Sequence, residues 1–277
     1  MATSGSNDTP RILVTGSTDG IGLETAKQLA RRGADVILHG RSRERLEKAA
    51  QALRAETDRP LLAPLVMDLG ALGDVRRAAL ELRARPDAPT VVINNAGVFM
   101  RKRALTPEGF ETTMGVNALA PILFTELLLE EPSSPVRRVV NVSSMAHGRG
   151  SVDPSDVGLV KRKFDPYGHY GASKLANILF TTVLARELTG RAITVNALHP
   201  GVVSTKLLTE GFGFQGSDSL ADSAATSVML ALDPIGAETT GGYFVHLRRT
   251  EPSAEARDAR LAEHWVTSAR AAVGLGA

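Results

Sequence analysis

The chain has 277 residues, 43% hydrophobic and 22% charged, which excludes a disordered chain and fits one large domain. Thirty-two basic against thirty acidic residues leave a formal charge of +2. The short runs Arg101-Lys102-Arg103 and Lys161-Arg162-Lys163 then read as solvated faces, and no nucleic-acid partner is expected. Cysteine is absent, which removes disulfides, thiolate metal sites and catalytic thiols and fits a reducing, cytoplasmic setting.

The polar stretch Met1 to Pro10 (1-10) lacks the apolar core of a signal peptide and reads as a disordered lead-in. Arg11 to Thr15 is a first strand. It runs into Thr15-Gly-Ser-Thr-Asp-Gly-Ile-Gly22 and then an amphipathic helix, Gly22 to Arg32. Gly16, Gly20 and Gly22 keep a G-x-x-x-G-x-G spacing. Between a strand and a helix, such glycines allow a tight turn, close approach of backbone N–H groups to a pyrophosphate, and close helix–sheet packing. The helix N-terminus adds unpaired donors and a favourable dipole. Gly16, Ser17, Gly20, Ile21 and Gly22 are therefore candidate dinucleotide contacts.

Asp35 to His39 is the second strand. Sites that prefer NAD carry an acidic residue at its end. Here Leu38-His39-Gly40-Arg41-Ser42-Arg43 has no carboxylate, and Arg41 is placed to pair with a 2′-phosphate, so NADP(H) is expected over NAD(H). Arg41 to Glu56 carries Leu46, Ala49, Ala50 and Leu53 on one helical stripe.

Further strands are expected at Leu62 to Met67, Val91 to Ile93, Arg138 to Val142, Ile193 to Ala197 and Gly242 to Val245. Further helices are expected at Leu72 to Arg83 and Tyr170 to Leu188. Several strands are apolar throughout, as in parallel sheets covered on both faces. The alternation implies right-handed βαβ units in one α/β domain over 11-250: a doubly wound parallel sheet of about seven strands, helices on both faces, and a helical tail, 251-277, packed on the same domain. No apolar run reaches the roughly 20 residues of a membrane span. Two stretches break the rhythm, 145–169 and 205–219, and both are open between lid and decoration. The excess of Arg over Lys, 25 to 7, hints at a bacterial coding bias.

More motifs follow the strands. Asn94-Asn95-Ala96-Gly97 follows the fourth, Asn117 lies in a helical pattern, and Asn141-Val142-Ser143-Ser144 ends the fifth. Tyr170-Gly-Ala-Ser-Lys174 opens a helix, and Pro200-Gly-Val-Val-Ser-Thr205 follows the sixth strand. With the glycine turn, these resemble the short-chain dehydrogenase/reductase family, with its Rossmann-type fold, over roughly residues 11 to 250. Val142-Ser-Ser-Met-Ala-His147, Ser173-Lys-Leu-Ala-Asn177 and His199-Pro-Gly-Val-Val203 resemble more narrowly the retinol dehydrogenase and WW-domain oxidoreductase-like branch.

The resemblance implies roles. Tyr170 is general acid in reduction and base in oxidation. Lys174, four residues on, favours the tyrosinate by its charge and holds the nicotinamide ribose. Ser144, rather than Ser143, hydrogen-bonds the substrate oxygen, and Asn117 helps order a proton-relay water. Asp68 and Leu69 sit by the adenine, and Asn95, Ala96 and Gly97 by the adenosine ribose. Pro200, Gly201, Val203 and Thr205 lie at the nicotinamide end, where Thr205 could instead cap a helix. The 26-residue step from Ser144 to Tyr170 is about twice the family's usual step, so an insertion lining the substrate entrance is expected. The family also implies a homodimer or homotetramer through the helix of Tyr170, unless that insertion reshapes the surface.

None of the six histidines has metal-ligand spacing, and His169 reads as a solvated loop residue, so no metal is expected. The reading is an NADP(H)-dependent oxidoreductase acting on a small-molecule carbonyl or alcohol. Leu207, Leu208, Phe212 and Phe214 suggest a largely apolar substrate. A dinucleotide-binding regulatory protein without turnover is the alternative; the intact Asn117, Ser144, Tyr170 and Lys174 set speaks against it. A C=C reductase of the protochlorophyllide type leans on cysteines that this chain lacks.

Overall fold

The β-branched run β1 (Arg11–Val14) enters α1 (Gly20–Arg31) through the glycine turn, and β2 (Asp35–Gly40) enters α2 (Arg43–Arg54). Both helices start on side-chain caps: Asp19 accepts from Gly20 N and Ser42 from Arg45 N. β3 (Leu65–Val66) precedes α3 (Leu72–Arg83). β4 (Val91–Asn94) precedes α4 (Thr112–Met114), a π-turn (Gly115–Leu119) and α5 (Ala120–Leu129). β5 (Arg138–Val142) leads through a 3-10 turn (Met145–Arg149) to α6 (Pro166–Glu187). β6 (Thr194–His199) leads through a second π-turn (Leu207–Phe212) to α7 (Leu220–Leu232) and α8 (Pro234–Glu238). A hairpin of β7 (Tyr243–Val245) and β8 (Arg248–Arg249), a 3-10 turn (Glu255–Arg257) and α9 (Ala259–Ala272) complete the chain. This computed structural model describes residues 9–59, 61–205, 207–213 and 216–276, so most of the expected lead-in lies outside the described residues.

The sheet order is β3-β2-β1-β4-β5-β6-β7-β8, parallel throughout except for antiparallel β8. The chain turns back between β1 and β4, and crevices at such a switch point take ligands in doubly wound folds. One buried cluster lies under α1, α2 and α7. The other lies under α3, α5, α6 and α9 and includes Phe124, Phe180 and Trp265. The stretch 112–129 is apolar, with mean hydropathy 1.4, and is nearly all buried as a core helix.

Three boundaries differ from the sequence reading. The sheet has eight strands rather than about seven, because His246 and Leu247 take left-handed φ (46° and 65°) and fold Arg248–Arg249 back on β7. The third strand keeps only two of its expected residues. Helix α6 starts a turn before Tyr170, since Pro166 occupies its first position and the Asp165 carboxylate accepts from Tyr167 N and Gly168 N (3.2 and 3.1 Å). In the tail, α9 packs on α6 and α5. Trp265 is fully buried, and Arg270 bonds Glu126 and Glu187.

Candidate active site

The glycine turn is built by close contacts that only glycine allows. Gly16 and Gly20 have φ of +66° and +54°, and a Cβ on Gly22 would lie 2.3 Å from Gly16 O. Thr15 Oγ1 accepts from Asn95 N and Ala96 N (2.9 and 3.0 Å), and Asn95 Nδ2 donates to Thr15 O (2.8 Å), which ties the turn to the end of β4. His39 ties it to β3. Gly16 N donates to His39 Nδ1 (2.9 Å), so Nε2 is the protonated nitrogen and donates to Met67 O (3.2 Å). Burial pushes the pKa of this imidazole down to about 4.

The other expected cofactor residues gather around this turn. Ser17 is buried, its Oγ accepting from His39 N (2.8 Å), and Ile21 lies on the first turn of α1. Arg41 is exposed on the bend after β2 and forms no ion pair among the described residues. Asp68 is exposed and accepts from Gly70 N (2.9 Å), whereas Leu69 packs into the core. Gly201 has φ +101°, and Val202 N donates to Asp218 Oδ2 (2.5 Å), so the chain after Pro200 is held beside α7. Val203 is buried in a bridge to Asp218. Thr205 Cγ2 lies 3.4 Å from where a Cβ on Gly20 would be, and Thr205 Oγ1 accepts from Leu208 N (3.4 Å). It therefore faces the glycine turn and caps the second π-turn at once.

The catalytic candidates converge at the ends of β4 and β5. Lys174 is 3% exposed, and its Nζ donates to Val142 O (2.9 Å) and lies 5.6 Å from the centre of the Tyr170 ring. A Cβ on Gly97 would lie 3.5 Å from both Lys174 Nζ and Asn117 Oδ1. Asn117 sits in the first π-turn, a helix irregularity common at functional sites. Its Nδ2 donates to Val98 O (2.9 Å) and Ser173 Oγ (3.1 Å), and its Oδ1 accepts from Val98 N (2.7 Å). Its side chain thus clamps the segment after β4 to α6.

Ser144 Oγ accepts from Ala146 N (3.2 Å). The 3-10 turn after it lies directly on α6 beside Tyr170: a Cβ on Gly150 would sit 2.2 Å from Gly171 C, and one on Gly171 would sit 2.7 Å from Ala146 O. Tyr170 is 7% exposed, and burial pushes its phenol pKa up to about 12 against the opposing hydrogen bond from Ser144. Lys174 is pushed by burial down to about 8. On the phenol, burial outweighs the opposing Ser144 hydrogen bond.

An aromatic cluster covers Tyr170. Phe212 lies with ring centres 5.1 Å from Tyr170, 5.5 Å from Tyr167 and 4.1 Å from Phe99, and Phe99 lies 5.8 Å from Tyr170. Arg101 Nε donates to Gly211 O (3.0 Å), tying the segment after β4 to the second π-turn. The stretch before α6 is packed, with Val152, Val157 and Leu159 in the core. Phe214 lies outside the described residues.

Phe99, His39 and His147 were missed as site residues by sequence reasoning. Phe99 had a signal, standing two residues after the Asn95-Ala96-Gly97 motif. His169 is also corrected. It is a buried residue of α6, packed on Phe164, with Nδ1 on Asp165 O (2.8 Å). Among the described residues, no group of three His, Asp or Glu is placed to hold a metal.

The residues fit a nicotinamide dinucleotide. The turn leaves a side-chain-free cradle at the N-terminus of α1, and the buried Lys174 ammonium donates to Val142 O and forms no ion pair among the described residues. Residues 10–215 match the family model for short chain dehydrogenase. Human retinol dehydrogenase 13 is 38% identical over 283 residues, 96% of this chain and 85% of that protein. An uncharacterised protein of Mycobacterium paratuberculosis has TM-score 0.80 and 32% identity, covering 97% of this chain and 94% of that one. A short chain dehydrogenase of Escherichia coli CFT073 complexed with NADPH has TM-score 0.67 and 28% identity, covering 87% of this chain and 98% of that one.

Proposed function

The chain belongs to the short-chain dehydrogenase family and is an oxidoreductase of its retinol dehydrogenase-like branch, and we propose that it interconverts a carbonyl and an alcohol with NADP(H) on a small to medium, largely apolar substrate. The observation that carries this reading is the Tyr170 phenol, buried against Ser144 and Lys174 under Phe99 and Phe212. Bound nicotinamide dinucleotide supplies or takes up the hydride; every other task falls to the chain.

The hydroxyls of Ser144 and Tyr170 meet, and a carbonyl oxygen at that point accepts from both. Ala146 N already donates to Ser144 Oγ, so the serine hydroxyl is free to turn its proton to the substrate as charge grows there. With its pKa held near 12, the phenol stays protonated through the neutral range and is set to give a proton. That state suits reduction of a carbonyl. Lys174 and Asn117 would hold the ribose side of the site, and Asn95, Ala96 and Gly97 the backbone path beside it.

Arg41 supports NADP(H), being an exposed guanidinium where the second strand ends, with no ion pair among the described residues and no carboxylate in the stretch Leu38 to Arg43. The NADPH complex of the Escherichia coli neighbour is consistent with this choice. Phe99 and Phe212 support an apolar substrate, since their rings pack edge-to-face with the Tyr170 phenol, and Tyr167 packs on both.

The test is a panel of aldehydes and ketones followed by NADPH absorbance, with Tyr170→Phe beside the wild type. Loss of the general acid should lower kcat by about 10²–10⁴-fold while NADPH binding holds. Turnover retained in Tyr170→Phe would overturn the reading.

A further inference from the structure

We propose that His147 is a positioning residue for Ser144: its ring, oriented by the C-terminal segment, holds the active-site serine by the backbone carbonyl. The inference rests on the reading of Ser144 and Tyr170 above. Ser144 stands where β5 leaves the sheet: Ser143 N still bonds Leu198 O (2.7 Å), and the next residues turn away. Its own carbonyl is gripped twice by one residue. His147 N donates to Ser144 O (3.1 Å), and so does His147 Nδ1 (2.7 Å).

The ring is fixed from its far side. Ser253 N donates to His147 Nε2 (3.0 Å), so Nε2 is the bare nitrogen and Nδ1 must carry the proton that reaches Ser144 O. The ring also packs edge-on against Tyr243, with centres 5.1 Å apart at 69°. At 7% exposure it has no room to swing. Ser253 leads into the 3-10 turn before α9, since Ser253 Oγ accepts from Ala256 N (3.3 Å).

The serine is therefore held between two rigid bodies. On one side, the glycine contact of Gly150 with Gly171 seats the 3-10 turn on the helix of Tyr170. On the other, His147 bolts the Ser144 carbonyl to the tail. Reacting groups misplaced by about 1 Å can cost about 100-fold in rate, so the bolt matters to turnover more than to binding. None of the six histidines carries ligand spacing, so only the folded partners reveal this one.

Three variants separate positioning from plain support. Asn can put an amide N–H where Nδ1 stands, keeping the bond to Ser144 and dropping the one to Ser253. Gln can put its oxygen where Nε2 stands, keeping the tail and dropping Ser144. Phe keeps the ring and drops both. Measured as the full chain with NADPH and the best carbonyl of the panel, His147→Asn should keep kcat within about fivefold. His147→Gln and His147→Phe should lose about 10–100-fold. The Kd for NADPH should stay level in all three. The proposal is overturned if Phe keeps full kcat, if Asn and Gln fall equally, or if Gln rescues and Asn does not, which is the pattern of a structural tether. Tyr170→Phe in the same series keeps the two readings apart: turnover surviving there sinks the proposed function, whatever the histidine variants do.

Discussion

Acid should loosen the dinucleotide turn through His39. Its neutral ring accepts from Gly16 N and donates to Met67 O, and a second proton would break the first of these bonds. Burial holds its pKa near 4 in the fold, against 6.5 for the ordinary group, while Asp68 and Asp74 pull the other way and lose. The unfolded chain therefore binds the proton first. The stabilisation is complete above pH 6.5, falls as the pH drops towards 4, and is spent below that. A shift from 6.5 to about 4 corresponds to about 3 kcal/mol in full, of which about 2 kcal/mol is gone by about pH 5. His199 is also held near 4 by burial and adds to the same window, so the wild-type curve alone does not isolate His39. The measurement is urea unfolding of wild type and His39→Gln across this range, with NADPH titration alongside. Gln can accept from Gly16 N and donate to Met67 O without taking up a proton. Its curve should lose the His39 share of the wild-type pH dependence, while His199 and the burial-lowered His147 keep theirs, and NADPH affinity should fall with acid in the wild type more than in the variant. Equal pH slopes in the two proteins would refute the argument.

Arg41→Asp removes the only charge argued to read the 2′-phosphate, so NADPH affinity should drop about 10–100-fold with NADH gaining; unchanged preference in paired titrations would reject the assignment. Because Tyr170 is held near 12, the reduction rate should stay flat from neutral to mildly alkaline pH while the oxidation rate climbs with pH; an oxidation rate that is already level at neutrality would contradict the raised phenol. Trp265→Ala should cost about 3–5 kcal/mol in urea unfolding, all of it packing, since its Nε1 has no partner among the described residues. A loss under about 1 kcal/mol would mean that the tail is not part of the core.

The fold was legible where chemistry repeats along the chain. Apolar runs such as Val91–Asn94 can pair only as covered strands, and right-handed crossovers then leave few sheet orders. The hairpin of β7 and β8 was not legible, because its turn uses His246 and Leu247 rather than Gly or Asn. The start of α6 could have been read, since Asp165 before Pro166 is an N-cap followed by the residue that favours the first helical position. The site divides the same way. The glycine turn and the Tyr170–Lys174 pair are local patterns. His39 and His147 act through partners far away in sequence, Gly16 and Ser253, and no spacing along the chain announces such meetings; Phe99 was placed near the site by its motif, but its contact with Phe212 was not.

The pair of Tyr170 and Lys174 shows where spacing stops being informative. Four residues apart on a helix, the two must be neighbours. Neighbourhood fixes the sign of their attraction but not its rank against desolvation. In the fold, Lys174 reaches past the phenol to Val142 O and lies over the ring face, not against the oxygen. Phe99 and Phe212 then close on the ring. Burial disfavours tyrosinate and ammonium alike, which moves the two pKa values towards neutral groups, about 12 and about 8. The aromatic cover, which under the proposed function favours an apolar substrate, thus also keeps the phenol protonated. On that reading one packing choice bears on both the substrate and the direction in which the proton is ready to move.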